Sequence, residues 1–137
     1  MVVLVNGLPG AGKTTVARAL GRALGWTLLA NAGRGAVLES PWPAPTRPLV
    51  LAGLARAGVE ASAEVRAVWC AVPPELARRR YEGRVRHAIH GEARLGDERW
   101  AEWAAGARPL GVGTVYWIDT SKTVDISGLA GLYQGPQ

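Results

Sequence analysis

The chain has 137 residues, 48% of them hydrophobic, so it can bury a core and we expect one domain over residues 1–137. Its 16 lysines and arginines and 11 acidic residues give a formal net charge of +5, which suits phosphorylated ligands or nucleic acid but selects neither. The single cysteine, Cys70, excludes an internal disulfide. No apolar run approaches the ~20 residues of a membrane span and the first segment is not a signal peptide, so we expect a cytoplasmic protein with no membrane partner.

The N-terminal segment has the pattern of a strand, a loop and a helix. Residues 2–5 are apolar and mostly β-branched, which is typical of a parallel strand buried on both faces. Residues 7–14, GLPGAGKT, match the phosphate-binding loop pattern G-x-x-x-x-G-K-[ST] at every fixed position. The residues after the loop place apolar side chains on one helical face, and Gly25 is a typical helix stop.

This loop has the residue types that phosphate binding requires. Glycines let backbone amides turn toward a polyphosphate, and the following helix adds the positive end of its dipole. Lys13 supplies a compact cation for the β- and γ-phosphates, and the Thr14 hydroxyl is the expected ligand of Mg²⁺. The motif therefore predicts a nucleotide-phosphate site formed by Gly7, Leu8, Pro9, Gly10, Ala11, Gly12, Lys13 and Thr14.

Two further strand-like segments follow, at residues 26–30 and 36–39, and only residues 31–35 separate them. A parallel crossover needs about a dozen residues, so we expect either an antiparallel pair or only one true strand. The second segment ends in Glu39, where phosphate-loop proteins commonly place the acid that holds magnesium directly or through water. We assign Glu39 to the metal or to orienting a water; the alternative is a solvated acid at a strand end.

The rest of the chain alternates helices and strands, which predicts an α/β three-layer fold with a mostly parallel sheet of about five strands. Ligands of such sheets bind at the carboxyl ends of the strands, which places the phosphate loop, Glu39 and residues 119–123 on one rim. The remaining predicted elements are a helix from Thr46 or Pro48 to about Ala57, a strand over residues 65–72, a helix that begins at residues 73–75, a polar segment over residues 85–91, a helix from its cap Asp97 to Ala105, a strand over residues 114–118 and a terminal helix capped by Asp125.

Two further groups are candidates for the site. Arginines are concentrated over residues 78–86, and helical spacing puts Arg80 and Arg84 on one face while Arg79 points elsewhere. Phosphoryl transfer builds negative charge that arginine stabilises, so we assign Arg80 and Arg84 to this role; a solvated face is the alternative. Trp42, in the proline-rich loop after Glu39, is a candidate for stacking on a substrate, although most tryptophans are core residues.

The order of these pieces resembles the small phosphate-loop kinases of the chloramphenicol phosphotransferase, gluconate kinase and polynucleotide kinase type. The matching stretches are NGLPGAGKTT, AVLESPW, VWCAVPPELARRRYEGR and YWIDTSKTVD. The resemblance implies a P-loop NTPase fold and transfer of the γ-phosphate of Mg-ATP to a hydroxyl of a small molecule or of a nucleic-acid end. It further implies that Thr15 joins the phosphate site, that Arg80 and Arg84 belong to a lid-like segment over residues 78–96, and that Ser121, Lys122 and Thr123 lie near the adenine.

The sequence departs from that family after the second strand. Members usually carry an aspartate there as general base, followed by helices that bind the acceptor. Here Asn31 follows the strand, the helical insertion is missing, and an asparagine cannot accept the proton of an attacking hydroxyl. An apolar flank left by the missing helices would favour a homodimer.

Three functions stay open. The first is a compact small-molecule kinase in which Glu39 serves as base and Trp42 lines the acceptor site. The second is a nucleotide-binding module with reduced or lost kinase activity. The third and weaker one is a polynucleotide kinase, against which the absence of a clear aromatic platform for bases argues.

Overall fold

The computed structural model describes residues 1–28, 35–87 and 96–134. Its strands are β1 (Val2–Asn6), β2 (Thr27–Leu28), β3 (Ala36–Glu39), β4 (Val65–Ala71) and β5 (Thr114–Asp119). Its helices are α1 (Lys13–Leu24), α2 (Arg47–Arg56), α3 (Ala61–Glu64), α4 (Pro74–His87), α5 (Asp97–Ala105) and α6 (Ile126–Gly131), with a 3-10 turn at Ala44–Thr46. The strands form one sheet in the order β2-β3-β1-β4-β5, and each described pair is parallel, which confirms the predicted α/β class.

The sheet has an apolar core on each face because β1 over residues 2–5 and β4 over residues 67–71 are apolar at consecutive positions. On one face Val5 lies in a cluster with Leu20 of α1 and Leu129 of α6. On the other face Leu4 lies in a cluster with Leu54 of α2. This is the three-layer arrangement expected from alternating strands and helices. None of the described helices is long and apolar enough to cross a membrane.

The pairing of β2 with β3 corrects the sequence prediction. Thr27 lies opposite Ala36 in parallel register, so neither the antiparallel pair nor a single strand is right. The rule that parallel strands need a long crossover assumes strands of ordinary length. To enter β3 in parallel, the chain has to return along a strand of two residues and move sideways by one strand, a path of about 12 Å. Residues 29–35 are enough to cover this path at roughly 3.3 Å per residue. The connecting residues 29–34, including Asn31, lie outside the described residues.

The helix boundaries carry one confirmation and two corrections. Asp125 caps α6 as predicted, since its carboxylate accepts a hydrogen bond from the backbone N–H of Gly128 at 3.0 Å. Asp97 is not a cap, because Gly96 holds the cap position of α5 and the Asp97 carboxylate accepts from the Arg78 guanidinium at 2.6 Å. Helix α4 runs on to His87 instead of giving way to a polar segment at residue 85, and residues 88–95 of the lid-like segment lie outside the described residues.

Gly10 lies where the phosphate loop meets α4, and we expect Gly10→Ala to destabilise the fold. Its φ is +85°, and an added Cβ would collide with the backbone carbonyl of Ala77. Left-handed strain and displaced packing together predict a loss of about 2–5 kcal/mol in the free energy of unfolding, measured by urea denaturation. Gly53→Ala in α2 is the control: apart from its chain neighbours and the backbone of its own helix, no atom lies within 4 Å of its added Cβ, so a gain of about 0.5–1 kcal/mol is expected. Equal effects at the two positions would contradict the close packing of α4 on the loop.

Candidate active site

The phosphate loop joins the central strand β1 to α1 at the carboxyl edge of the sheet. Gly12 is the N-cap of α1 with a φ of 84°, and the helix then begins at Lys13. Because α1 has 12 residues, its aligned peptide dipoles give a positive end directly after the loop. The loop therefore ends at a helix N-terminus, and a glycine-rich loop before a helix N-terminus is a geometry that binds phosphates in proteins.

Lys13 is buried beneath this loop. Its side chain is only 8% exposed, and its Nζ donates a hydrogen bond to the Leu8 carbonyl at 2.9 Å. Burial lowers the pKa of Lys13, and the nearby Glu39 carboxylate acts in the opposite direction. A desolvated ammonium group favours an anionic partner, and a bound phosphate would supply one.

Thr14 and Glu39, the two predicted metal ligands, lie next to each other. The Thr14 hydroxyl donates to a Glu39 carboxylate oxygen at 3.1 Å. The sheet brings them together, because Glu39 ends β3 and lies opposite Val5 of β1, just before the loop. Mg²⁺ takes few protein ligands and prefers hard oxygen atoms, so a hydroxyl beside a carboxylate fits it.

A cavity of about 730 Å³ opens beside Gly10, Gly12 and Thr15, between α1, α4 and the segment after β5. Its charged lining is cationic, and none of the described residues that line it is acidic. Such a lining suits a polyphosphate. The cationic residues are Arg79, Arg80, Arg84 and Lys122.

The position of Arg79 differs from the sequence prediction, which placed its side chain away from Arg80 and Arg84. All three border the cavity, because it extends along α4 and Gly83 adds no side chain between them. Helical spacing shows which side chains share a narrow face of the helix. Residues next to that face can still line the same wide cavity. The predicted pair Arg80 and Arg84 does lie on this cavity.

Arg80 also links two of the segments that line the cavity, α4 and the segment after β5. Its Nη2 donates to the Thr120 carbonyl at 3.1 Å, and the Thr120 amide donates to the Ala71 carbonyl at 2.9 Å. Thr120 itself is buried, with 7% of its surface exposed. The contacts join α4 to the ends of β4 and β5. Thr120 lies within residues 119–123, which the sequence predicts on this rim, but no sequence pattern distinguishes it from an ordinary turn residue.

The predicted adenine segment is only partly on this cavity. Lys122 and Thr123 line it, whereas Ser121 is turned back toward Asp119. The Ser121 amide donates to the Asp119 carboxylate at 2.9 Å, and this bond, with that of the Ser121 hydroxyl, lowers the pKa of Asp119. Ser121 thus shapes the turn that presents its neighbours.

A second cavity, of about 430 Å³, borders the beginning of the phosphate loop at Gly7, Leu8 and Pro9. Trp42, the predicted stacking residue, lines it. So do four residues that the sequence analysis did not assign to a site: Trp69, Glu102, Trp103 and Arg108. Trp100, on the same helix as Trp103, is buried in the core instead.

Asn6 links the phosphate loop to this second cavity. It is 5% exposed, its Oδ1 accepts from the Gly7 amide at 2.8 Å, and its Nδ2 donates to the Trp42 carbonyl at 3.4 Å. One side chain at the end of β1 therefore positions both the first loop residue and the tryptophan loop. No pattern in the sequence predicts this double role of Asn6.

No protein-family model matches this sequence, and a search of curated proteins gives no match. Among solved structures, a putative kinase from Chloroflexus aurantiacus J-10-fl is similar with a TM-score of 0.73 at 15% sequence identity, over 96% of this chain and 95% of that one. Deoxyadenosine kinase from M. mycoides, solved with the products dCMP and a flexible dCDP bound, has a TM-score of 0.61 at 12% identity, over 97% of this chain and 96% of that one. The chain thus has the parallel α/β fold of these two kinases along nearly its whole length.

Proposed function

We propose that this protein is a phosphotransferase that moves the γ-phosphate of Mg-ATP to a hydroxyl of a small molecule. The observation that carries the proposal is the 3.1 Å contact between Thr14 and Glu39 beside the buried Lys13. A glycine-rich turn with no ligand would have no need to bury a lysine against the loop and to place a hydroxyl on a carboxylate. The two kinases with this fold support the reading.

Each group has a role in such a transfer. Lys13 would neutralise the β- and γ-phosphates, and Thr14 with Glu39 would hold Mg²⁺, which offsets charge on the phosphate oxygens. Arg80 and Arg84 would donate to the phosphoryl group as charge spreads over its oxygens, with Arg80 already oriented by the Thr120 carbonyl. The 730 Å³ cavity beside Gly10 would receive the nucleoside, near Lys122 and Thr123.

The reaction balances without a further reactant. The acceptor oxygen forms a bond to the γ-phosphorus, the bond from that phosphorus to the oxygen bridging the β-phosphate breaks, and ADP leaves. The hydroxyl proton must pass to a base. Nearly all of the remaining work is positioning and charge stabilisation, which this set of residues can supply.

A nucleotide-binding module without transfer activity is the second candidate. It is favoured by the contact of Glu39 with Thr14, which commits that carboxylate to the metal side of the site. If no other group accepts the hydroxyl proton, the protein would bind Mg-ATP and release no ADP.

ADP release from Mg-ATP, with and without a protein-free metabolite extract, distinguishes the two candidates. For a kinase, wild type releases ADP only with the extract, and Lys13→Ala reduces the rate by at least about 10²-fold, as for loss of other transition-state donors. Fractionation of the extract, with a 5′-hydroxyl oligonucleotide tested alongside, then identifies the acceptor. Binding of Mg-ATP by wild type with no ADP in any fraction would overturn the kinase and establish the module.

A further inference from the structure

The second cavity reaches the reacting end of the proposed nucleotide site. Leu8 lines this cavity, and the same residue's carbonyl accepts the hydrogen bond from Lys13 Nζ at 2.9 Å. The Lys13 ammonium group, which would hold the terminal phosphates, is therefore hydrogen-bonded to a residue of the cavity lining. The nucleotide-side cavity is bordered instead by the later loop residues Gly10 and Gly12. A molecule in the second cavity would approach the phosphate chain from the end opposite the nucleoside.

The lining of the second cavity selects a type of molecule. Trp42, Trp69 and Trp103 contribute aromatic rings, and the neighbouring prolines add rigid apolar surface. Trp69 is held in place, with 7% of its surface exposed. A volume of about 430 Å³ lies within the usual range for small-molecule sites. A flat apolar body would stack on these rings, whereas a polyol would leave most of its hydroxyls without partners.

Glu102 is the one acidic side chain among the described residues that line this cavity. Its helix, α5, is fixed at its first turn by the bond between Arg78 and Asp97 and in its middle by the buried Trp100. Glu39 also lies beside the loop, but its carboxylate already accepts a hydrogen bond from Thr14. A base for the acceptor hydroxyl must stand on the acceptor side, and Glu102 is the carboxylate that does.

We propose that this cavity is the acceptor site, that its substrate is an alcohol with a flat apolar body, and that Glu102 accepts the hydroxyl proton. The inference rests on the proposed phosphotransferase function. In the step, the alcohol oxygen bonds to the γ-phosphorus, ADP departs, and the alcohol proton moves to a Glu102 carboxylate oxygen. The site replaces the helical insertion that the chain lacks with the proline loop and α5.

The first test measures binding and needs no turnover. Wild type loaded with Mg²⁺ and a non-hydrolysable ATP analogue is titrated calorimetrically with 2-naphthylethanol and thymidine, and with glycerol and gluconate as polyols. The flat alcohols should bind and the polyols should not. Trp42→Ala should weaken binding about 10-fold or more, whereas Leu132→Ala, on an exposed leucine outside the cavity lining, should change it less than about twofold. Absence of binding by both flat alcohols would overturn the assignment of the cavity.

The second test measures transfer to whichever flat alcohol binds. Glu102→Gln should lower kcat by about 10²–10⁴-fold, as for loss of a general base, with the acceptor KM and the Mg-ATP Kd nearly unchanged. Glu102→Asp should keep part of the rate, since it keeps the carboxylate. Glu98→Gln, on an exposed acid of the same helix that does not line the cavity, should behave as wild type.

The outcomes separate this inference from the function on which it rests. ADP release with polyols but not with flat alcohols would leave the kinase standing and overturn the substrate class. A wild-type rate in Glu102→Gln would overturn the role of that carboxylate. Binding of flat alcohols without ADP release for any acceptor would overturn the kinase and the catalytic role of Glu102 together, leaving the cavity as a binding site.

Discussion

Glu39→Gln is expected to lower the rate of phosphate transfer by about 10²–10³-fold while the Kd of the nucleotide changes little. The amide keeps the size of the side chain, and its oxygen can still accept the hydrogen bond that Thr14 now donates at 3.1 Å, but it loses the charge that Mg²⁺ requires. The rate is measured as ADP release at saturating Mg-ATP over a range of Mg²⁺ concentrations, and the Kd by calorimetry. Because binding by Lys13 and the loop amides is retained, the defect should lie in kcat.

Glu75→Gln is the matched control for that substitution, since Glu75 is an exposed acid in the first turn of α4. We expect it to leave both the rate and the Mg²⁺ dependence at wild-type values. A Glu39→Gln enzyme with the wild-type rate and the wild-type Mg²⁺ dependence would remove Glu39 from the metal site. A rate that recovers at high Mg²⁺ would locate the defect in metal affinity, in agreement with its contact with Thr14.

The double substitution Arg80→Lys and Arg84→Lys is expected to lower kcat by about 10³-fold, at the lower end of what an arginine on a transferring phosphoryl group supplies. Lysine keeps the charge but loses the planar fork that donates to two acceptors at once. Arg80 needs that fork because one of its nitrogens is committed to the Thr120 carbonyl at 3.1 Å. ADP release and Mg-ATP affinity are measured on the same preparations.

Arg18→Lys provides the control, because Arg18 is an exposed arginine of α1 that does not border the nucleotide-side cavity. It should retain the wild-type rate. If the double variant also retains that rate, the two arginines belong to a solvated helix face, which was the alternative reading of their sequence pattern. If only nucleotide affinity falls, they bind the ground state and not the transition state.

Most residues of the proposed nucleotide-side site could be predicted from sequence because they are contiguous. The motif at residues 7–14 places the loop, the lysine and the hydroxyl next to one another in the chain, so local backbone geometry is enough to bring them together. Glu39 needed one further inference, that strand ends meet at one edge of a parallel sheet. Its distance of 3.1 Å from Thr14 follows from the register of β1 and β3.

The second cavity could not be predicted in the same way. It combines Asn6, Trp42, Trp69 and Glu102, which are far apart in sequence and line one cavity only in the folded chain. Periodicity shows which face of α5 is apolar but not where the helix lies. The parallel pairing of β2 with β3 was missed for a related reason, since a general rule about crossover length was applied to a strand of two residues.

The position of β1 at the centre of the sheet has a consequence for how the protein folds during synthesis. β1 emerges from the ribosome before both of its partners, β3 and β4, so it has an open edge until residue 71 has been made. The bond from Arg80 to Thr120 closes the site later still. Parallel pairings of this range form slowly, and an unpaired apolar strand can associate with other chains. The phosphate loop is thus made well before residue 120, whose carbonyl joins α4 to the end of β5 beside it, so the folded surroundings of the loop form long after the loop itself.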